Sequence, residues 1–487
     1  MTRVLPSMPI GLFAFVVILT IAALAVRNGV MADGAMTLWA GAITAGDGGM
    51  SVGLIAAAYP TIPFLASTLV ELVTPAGTPS PALLAAAVGG GLACMWFVSM
   101  RVAGLSVLAA GVATLLLILH PNLLWLAVAG PSEILFVVFL YLFGDALYQL
   151  RARSGVTEVM AVGLALAGLA FSHPIGAAIA CAATPFLILA VRPLMVANSA
   201  PNVVLTLVFP TVFAAMAFAY VSWVFPGSGW SFLIAPAEGM SSWAASFVRG
   251  LGGAMTGVIA LDAGIVVALT FVLSAPIVIV AATWVWRRRP LVMPALVLCA
   301  AAVAAAVITV VTGLFGDPVA LAAAAPVLAA IVIIRVPDVR ARLDTVLPLL
   351  LMGWLGGAVT LAIIDPRIVN QVGAMLARVG ANPARADDFD LGGVIADREG
   401  VLVDSVNAPA VVVGRGQATG LISPQHEEFG LTILTSTIDA PFVAVSDPQS
   451  ATGAQDRLNK AFPQLYQRGP PGYRLVYHNA TWKLFKR

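Results

Sequence analysis

Long apolar stretches separated by short polar connections run through the chain up to residue 364. A helix needs about 20 mostly apolar residues to cross the hydrocarbon core of a bilayer. With that window the sequence predicts about eleven spans. They lie near 9–26, 81–100, 103–119, 131–150, 156–172, 174–191, 201–224, 262–286, 291–314, 318–334 and 344–364.

A further apolar run, 59–73, is too short to cross a bilayer. It opens with two prolines and contains Glu71 near its end. We therefore expect a juxtamembrane or re-entrant helix there, with a twelfth span as the alternative.

The pattern changes after residue 365, where short apolar runs alternate with charges of both signs. The runs 401–406, 410–414 and 441–445 predict strands, and 473–477 with 482–485 predicts a closing hairpin. A helix is expected over 455–467, because its apolar residues recur at spacings of four and three. The sequence thus divides into a transmembrane domain, 1–364, and a C-terminal α/β domain, 365–487.

Composition supports this division. Of the 487 residues, 60% are hydrophobic and only 10% are charged, and the mean hydropathy is +0.98. These values exclude a soluble globular enzyme and a disordered chain. The three cysteines lie in apolar runs without metal-binding spacing, as expected of buried small side chains.

The distribution of arginine predicts an orientation. If the N-terminus is cytoplasmic and 59–73 does not cross, ten arginines lie on the cytoplasmic side, as the positive-inside rule requires. They are Arg101, Arg151, Arg153, Arg192, Arg287, Arg288, Arg289, Arg335, Arg340 and Arg342. We therefore expect a multi-pass protein of a bacterial inner membrane with a periplasmic C-terminal domain.

Several reaction classes are disfavoured by missing motifs. The chain has no GxxxxGK[ST] loop, no HExxH and no GxSxG. The centres of the predicted spans are almost free of ionisable residues, which disfavours an ion-driven carrier. Membrane lipids are expected partners, and nucleic acid is not.

Ionisable groups gather instead in the loops predicted to face outward. Each also has a structural interpretation. Asp33 could be a helix N-cap or a loop acid, and Glu133 begins a helix, where an acid favours the helix dipole. His173 precedes a proline at the interface, and Asp47 lies in a glycine-rich turn. The outer loops supply two cations, Arg27 and Arg249.

At these residues the sequence resembles the GT-C superfamily of integral membrane glycosyltransferases. The similar segments are AspGlyAlaMet (33–36), TyrProThrIleProPhe (59–64), and HisProAsnLeuLeu (120–124) followed by SerGlu (132–133). A periplasmic α/β domain after the last span also occurs in that superfamily.

The resemblance implies a polyprenyl phosphate sugar as donor, used on the outer face, with Asp33 at the position of the catalytic base. One departure is Gly34, where many members carry a second acid. No cofactor is therefore expected, and a divalent metal is doubtful.

The implied chemistry suits these residue types. A carboxylate can take the proton of the attacking acceptor hydroxyl, and one base predicts inversion. The phosphate leaving group needs positive charge, from Arg249 or Arg27. Glu133 would be a second acid or orient the acceptor. His173, Tyr59 and Asp47 are candidates for the acceptor site or cavity, and the acceptor is a lipid, a polysaccharide or a protein.

Two alternatives remain open. The first is a non-catalytic subunit of the same architecture, serving structure or assembly. The second, less favoured, is a lipid or polysaccharide flippase. A flippase would need a cationic cavity, and the sequence offers no arginine or lysine inside the spans.

Overall fold

The computed structural model describes residues 7–27, 31–49, 55, 58–75, 77–153, 155–224, 258–286, 289–312, 318–364 and 383–487. Up to residue 364 the regular elements are α-helices apart from a π-helical turn at Ala45–Gly49 and a 3-10 turn at Thr184–Phe186. They are α1 (Met8–Arg27), α2 (Asp33–Thr44), α3 (Thr61–Val73), α4 (Ser80–Val102), α5 (Val107–Ile118), α6 (Pro121–Ala129), α7 (Pro131–Arg153), α8 (Val156–Ser172), α9 (Pro174–Ala183), α10 (Leu187–Ala190), α11 (Pro193–Val224), α12 (Ile259–Ser274), α13 (Pro276–Val285), α14 (Arg289–Thr312), α15 (Pro318–Arg335), α16 (Pro337–Arg340) and α17 (Leu343–Ile364).

Six of these helices are long and apolar enough to cross a membrane, or up to eight if each of two bent helix pairs is one span, within the described part of the chain. The prediction of a helical multi-pass membrane protein is confirmed, and the prediction of eleven spans is wrong. The predicted spans near 156–172, 174–191 and 318–334 form shorter apolar helices. Thr61–Val73 is also short, as its sequence predicts.

Prolines explain where several helices end. His173 is extended, with φ −159° and ψ 145°, and Pro174 occupies the first turn of α9. The residue before a proline is sterically driven out of the helical region, and proline itself starts a helix well. One apolar stretch is thereby cut into helices shorter than a bilayer.

The chain divides into two compact units. Unit 1 comprises Met1–Ala22, Tyr59–Pro63 and Ala85–Gly373. Its core is one apolar cluster dominated by alanine, leucine and valine from the helices, with Trp96, Phe97, Phe136 and Phe143 fully buried. Alanine allows the helix backbones to pack closely where no water is present.

Unit 2 comprises Ala23–Ala58, Phe64–Leu84 and Ala374–Arg487. Its C-terminal helices are α18 (Pro383–Val394), α19 (Pro409–Arg415), α20 (Glu427–Thr435), α21 (Ala451–Gln455), α22 (Arg457–Ala461) and α23 (Leu465–Arg468). Its strands are β1 (Val401–Leu402), β2 (Leu421–Ile422), β3 (Phe442–Ser446), β4 (Arg474–His478) and β5 (Trp482–Lys486). The sheet order is β2-β1-β3-β5-β4, with β1 parallel to β2 and β3 and the other pairs antiparallel.

The predicted strand at 441–445 and the predicted hairpin are confirmed. The prediction of a strand at 410–414 is wrong. That segment is α19, with Pro409 in its first turn and Gly416 at its C-terminal end in the left-handed region, φ 74°. Those two residues are helix start and stop signals. A short apolar run cannot by itself distinguish a buried strand from a buried helix.

Two other predicted elements are shorter than expected. The strand expected over 401–406 pairs only at Val401–Leu402. The helix expected over 455–467 is two helices, α22 and α23, with Phe462 and Pro463 between them. Proline again explains the break, because it restricts the residue that precedes it.

Helix α2 belongs to the core of unit 2. Met36, Trp39 and Ile43 are buried in one cluster with Val411 of α19 and Leu484 of β5. The first loop segment, which the sequence assigns to the transmembrane domain, thus packs with C-terminal residues. This packing positions Asp33, the first residue of α2.

Candidate functional site

Tyr59 lies in an aromatic cluster of unit 1. Its hydroxyl donates a hydrogen bond to the carbonyl oxygen of Ala170, at 2.8 Å. Its ring lies 6.4 Å from that of Phe171, edge-to-face, and 6.3 Å from that of Phe218. The phenol is thus held at the C-terminal end of α8.

This ring borders an apolar cavity of about 180 Å³. The other walls come from α8, α9 and α11 and the turn after α9: Leu166, Ala170, Phe171, Ala177, Ala180, Cys181, Thr184, Val208, Thr211, Val212 and Ala215. Most of these side chains are small or aliphatic, and Thr211 Oγ1 is buried without a hydrogen-bond partner. We call this space the Tyr59 cavity; its walls suit a hydrocarbon chain.

His173 follows Phe171 by two residues and is buried. Its Nδ1 accepts a hydrogen bond from the backbone N–H of Ile175, at 3.1 Å, and so caps α9. Its ring lies 5.6 Å from that of Phe136, which follows Glu133 by about one turn of α7. Within unit 1 the structure therefore places Tyr59 against Phe171 and His173 against Phe136, and Glu133 lies in the first turn of α7.

Asp33 occupies a different setting, in unit 2. Its carboxylate forms an ion pair with the guanidinium of Arg385 in α18, which also donates to the carbonyl oxygen of Met31. The Asp33 side chain is 93% exposed and that of Arg385 only 16%. The cation is thus anchored, and the acid is held at the surface in one orientation while remaining accessible.

Asp47 also contacts the C-terminal part of unit 2. Its carboxylate accepts hydrogen bonds from the backbone N–H groups of Ala418 and Thr419. Burial raises the pKa of nearby Glu71, and the Asp47 carboxylate adds to the rise. Asp47 is thus held by backbone N–H groups rather than lying in a simple turn.

The two predicted phosphate contacts have different outcomes. Arg27 is the last residue of α1 and is exposed. Arg249 lies outside the described residues. Sequence reasoning did not find Arg385, because nothing local marks it as a partner of Asp33, 352 positions away.

Metal ligands do not cluster in the part of the chain that the structure describes: no group of three histidine, cysteine, aspartate or glutamate side chains there could hold an ion. The carboxylates of Asp33 and Asp47 engage Arg385 and backbone N–H groups instead.

No model of a known protein family matches this chain, and no curated protein sequence matches it. The fold defines a helical, multi-pass membrane protein with a small C-terminal sheet.

Proposed function

We propose that the protein is a membrane glycosyltransferase that moves a sugar from a polyprenyl phosphate to an acceptor hydroxyl on the outer face of a bacterial inner membrane. The acceptor hydroxyl attacks the anomeric carbon and loses its proton to Asp33. The bond from that carbon to the phosphate oxygen breaks, and polyprenyl phosphate leaves with the electron pair. A single displacement inverts the anomeric centre.

The observation that carries the proposal is the Tyr59 cavity. Its aliphatic walls suit an isoprenoid chain, and each buried CH₂ contributes about 0.8 kcal/mol to binding. In the proposal, Glu133 and His173, both of unit 1, orient polar parts of the substrates. Such a cavity favours a lipid-linked donor over a nucleotide sugar.

Unit 2 supports the choice of base. A general base must reach the proton that it abstracts, and typically contributes about 10² to 10⁴ in rate. Asp33 is exposed, and its orientation is set by Arg385. In the proposal, Arg385 provides the positive charge that the departing phosphate requires, together with Arg27 or Arg249.

The test of the base uses purified full-length protein and a panel of radiolabelled polyprenyl phosphate sugars. Asp33→Asn should retain donor binding and lose about 100-fold or more in turnover. Asp439→Asn is the matched control, since Asp439 is an exposed acid of unit 2 paired with Arg487. It should turn over like the wild type; equal turnover by Asp33→Asn would refute the assignment.

The test of the cavity compares two positions on α11. Ala215→Phe fills the Tyr59 cavity, whereas Ala217→Phe adds the same ring at an exposed position. If the cavity holds about two methylenes of the donor, Ala215→Phe should weaken donor binding about tenfold. Equal donor affinity in the two variants would exclude the cavity as the lipid site.

A non-catalytic assembly subunit is the second candidate, and one observation favours it. Asp33 and Asp47 both contact C-terminal residues of unit 2, so both acids have a structural role. If that role is the whole of their function, no donor is turned over by the wild type. In that case Asp33→Asn and Arg385→Ala should instead reduce recovery of an assembled partner complex.

A further inference from the structure

The last two strands of the C-terminal sheet lie in the most basic part of the chain. Residues 457–487 contain seven of its 25 arginines and lysines and none of its 23 aspartates and glutamates. Four of these cations, Arg474, Lys483, Lys486 and Arg487, lie on β4 and β5 or directly after them. Like charges crowded on one hairpin repel each other, so the hairpin favours an anionic partner.

Two of the four cations already have partners within unit 2. The guanidinium of Arg487 forms an ion pair with the carboxylate of Asp439. The Lys483 ammonium donates to a backbone carbonyl oxygen of α23, at 3.1 Å. Arg474 and Lys486 are exposed, and no carboxylate in the described part of the chain pairs with either of them. The charge of these two side chains is therefore available to a partner.

Arg474 and Lys486 lie directly opposite each other in the antiparallel pair of β4 and β5. Lys486 in turn lies opposite Phe442 of β3. Directly opposite residues share a face of a sheet, so the two cations and the ring form one row across three strands. The guanidinium carbon of Arg398 lies 5.3 Å from the centre of the Phe442 ring, and the Lys486 nitrogen lies 5.6 Å from it. Three cations therefore lie at this end of the sheet.

Strand β4 also exposes apolar side chains. It forms an edge of the sheet, because the strand order ends with it. Leu475 is 48% exposed and Val476 is 37% exposed, although both are apolar. Apolar side chains beside cations are typical of segments that bind at a membrane surface.

The turn of the hairpin is fixed to helix α18. Thr481 Oγ1 donates to Asp387 Oδ2, at 2.6 Å, and Asn479 Nδ2 donates to the Asp387 carbonyl oxygen, at 2.9 Å. These bonds hold the turn, and the turn positions the open end of the hairpin, where Arg474 and Lys486 lie.

We propose that Arg398, Arg474, Leu475, Val476 and Lys486 form a docking surface for the anionic headgroups of membrane lipids. We call it the β4 surface. Phosphate oxygens of the headgroups accept hydrogen bonds from the guanidinium and ammonium groups. Leu475 and Val476 contact the boundary between headgroups and acyl chains. Each arginine or lysine near an anionic bilayer surface typically strengthens binding about fivefold.

Lipid fits the β4 surface better than other partners do. The long apolar helices hold the chain in a bilayer, so lipid headgroups are abundant anionic neighbours. A second copy of β4 is disfavoured, because pairing two such edges would bring like charges together. A soluble acidic polymer would match the cations but would leave Leu475 and Val476 in water.

The experiment measures hydrogen exchange of the full-length protein in two kinds of nanodisc. One contains phosphatidylcholine alone, and the other also contains about 30% phosphatidylglycerol to supply anionic headgroups. Peptides covering 474–487 should exchange at least about fivefold more slowly in the anionic nanodiscs, because the headgroups cover the edge of the sheet. Sodium chloride at about 1 M should remove this difference, since the Debye length falls to about 3 Å.

Matched variants test the cations and the apolar side chains separately. Arg474→Gln should weaken docking about fivefold and lose most of the slowing. Lys460→Gln removes an equally exposed cation on α22 and should behave like the wild type. Leu475→Ser should also reduce the slowing, whereas Leu434→Ser, at a position 82% exposed on α20, should not.

Equal exchange of peptides 474–487 in the two kinds of nanodisc would overturn the proposal. Equal losses in Arg474→Gln and Lys460→Gln would also overturn it, because they would indicate an effect of net charge alone. Slowing by soluble dextran sulfate in phosphatidylcholine nanodiscs, with none from anionic lipid, would assign the surface to a soluble acidic polymer instead.

Discussion

Replacing Trp39 tests whether the helix that carries Asp33 shares a core with the C-terminal residues. Trp39 of α2 is 5% exposed and is buried in the cluster that includes Val411 of α19 and Leu484 of β5. Trp39→Ala would remove the largest side chain that α2 contributes to this core. We expect α2 and α19 to loosen together.

The expected magnitude follows from two opposing terms. Truncating a buried tryptophan to alanine typically costs about 3 to 5 kcal/mol. The Trp39 indole N–H is buried without a hydrogen-bond partner, which destabilises the fold by about 1 to 3 kcal/mol. Replacing the side chain removes that cost and offsets part of the loss. The net loss is therefore about 2 kcal/mol, or roughly 30-fold in the local opening equilibrium. Trp39→Phe removes the unpaired N–H and keeps a ring, so it should change stability by less than about 1 kcal/mol.

Hydrogen exchange of the full-length protein in detergent measures this change peptide by peptide. In Trp39→Ala the amides of α19 should exchange roughly 30-fold faster than in the wild type. Trp223→Ala is the control, since Trp223 is 64% exposed and belongs to unit 1. It should leave α19 unchanged. Unchanged exchange of α19 in Trp39→Ala would refute the shared core.

Two further predictions concern stability. Burial raises the pKa of Asp388 to about 6, despite the opposing hydrogen bond from Trp482. The fold therefore favours the protonated carboxyl of Asp388. Its contribution to the stability of the fold is complete below the usual pKa of an aspartate and is lost as the pH rises to about 6. In the wild type, the free energy of opening that hydrogen exchange of β5 reports should fall by up to about 3 kcal/mol over that pH range. In Asp388→Asn this free energy should depend much less on pH. Separately, Gly356→Ala should lower the unfolding midpoint, because its Cβ would lie 2.0 Å from the carbonyl oxygen of Leu273. Gly91→Ala, with open space around the Cβ, should be neutral or slightly stabilising.

Sequence reasoning identified the class of protein and part of the C-terminal sheet. It miscounted spans because hydropathy measures composition and not where a helix ends; His173 and Pro174 illustrate this in one apolar stretch. It assigned α19 to a strand because four consecutive apolar residues fit either structure. Pro409 and Gly416 were the available signals against a strand.

The sequence alone identified only part of the candidate sites. Asp33, Glu133 and His173 could be selected as ionisable residues in predicted loops. The partner of Asp33 could not be selected, since Arg385 follows it by 352 positions. The same holds for His120, whose contact Gly353 follows it by 233 positions. No local pattern encodes such pairs.

The sequence by itself determined that this chain is a helical membrane protein, because hydropathy depends on each residue's own transfer free energy and adds along the chain. Tertiary structure decided which polar groups meet. It placed the Asp33 helix in the core of unit 2, and it joined two interrupted helices of unit 1 through His120. Those outcomes depend on packing and hydrogen bonding between residues distant in sequence, and these interactions exist only once the chain has folded.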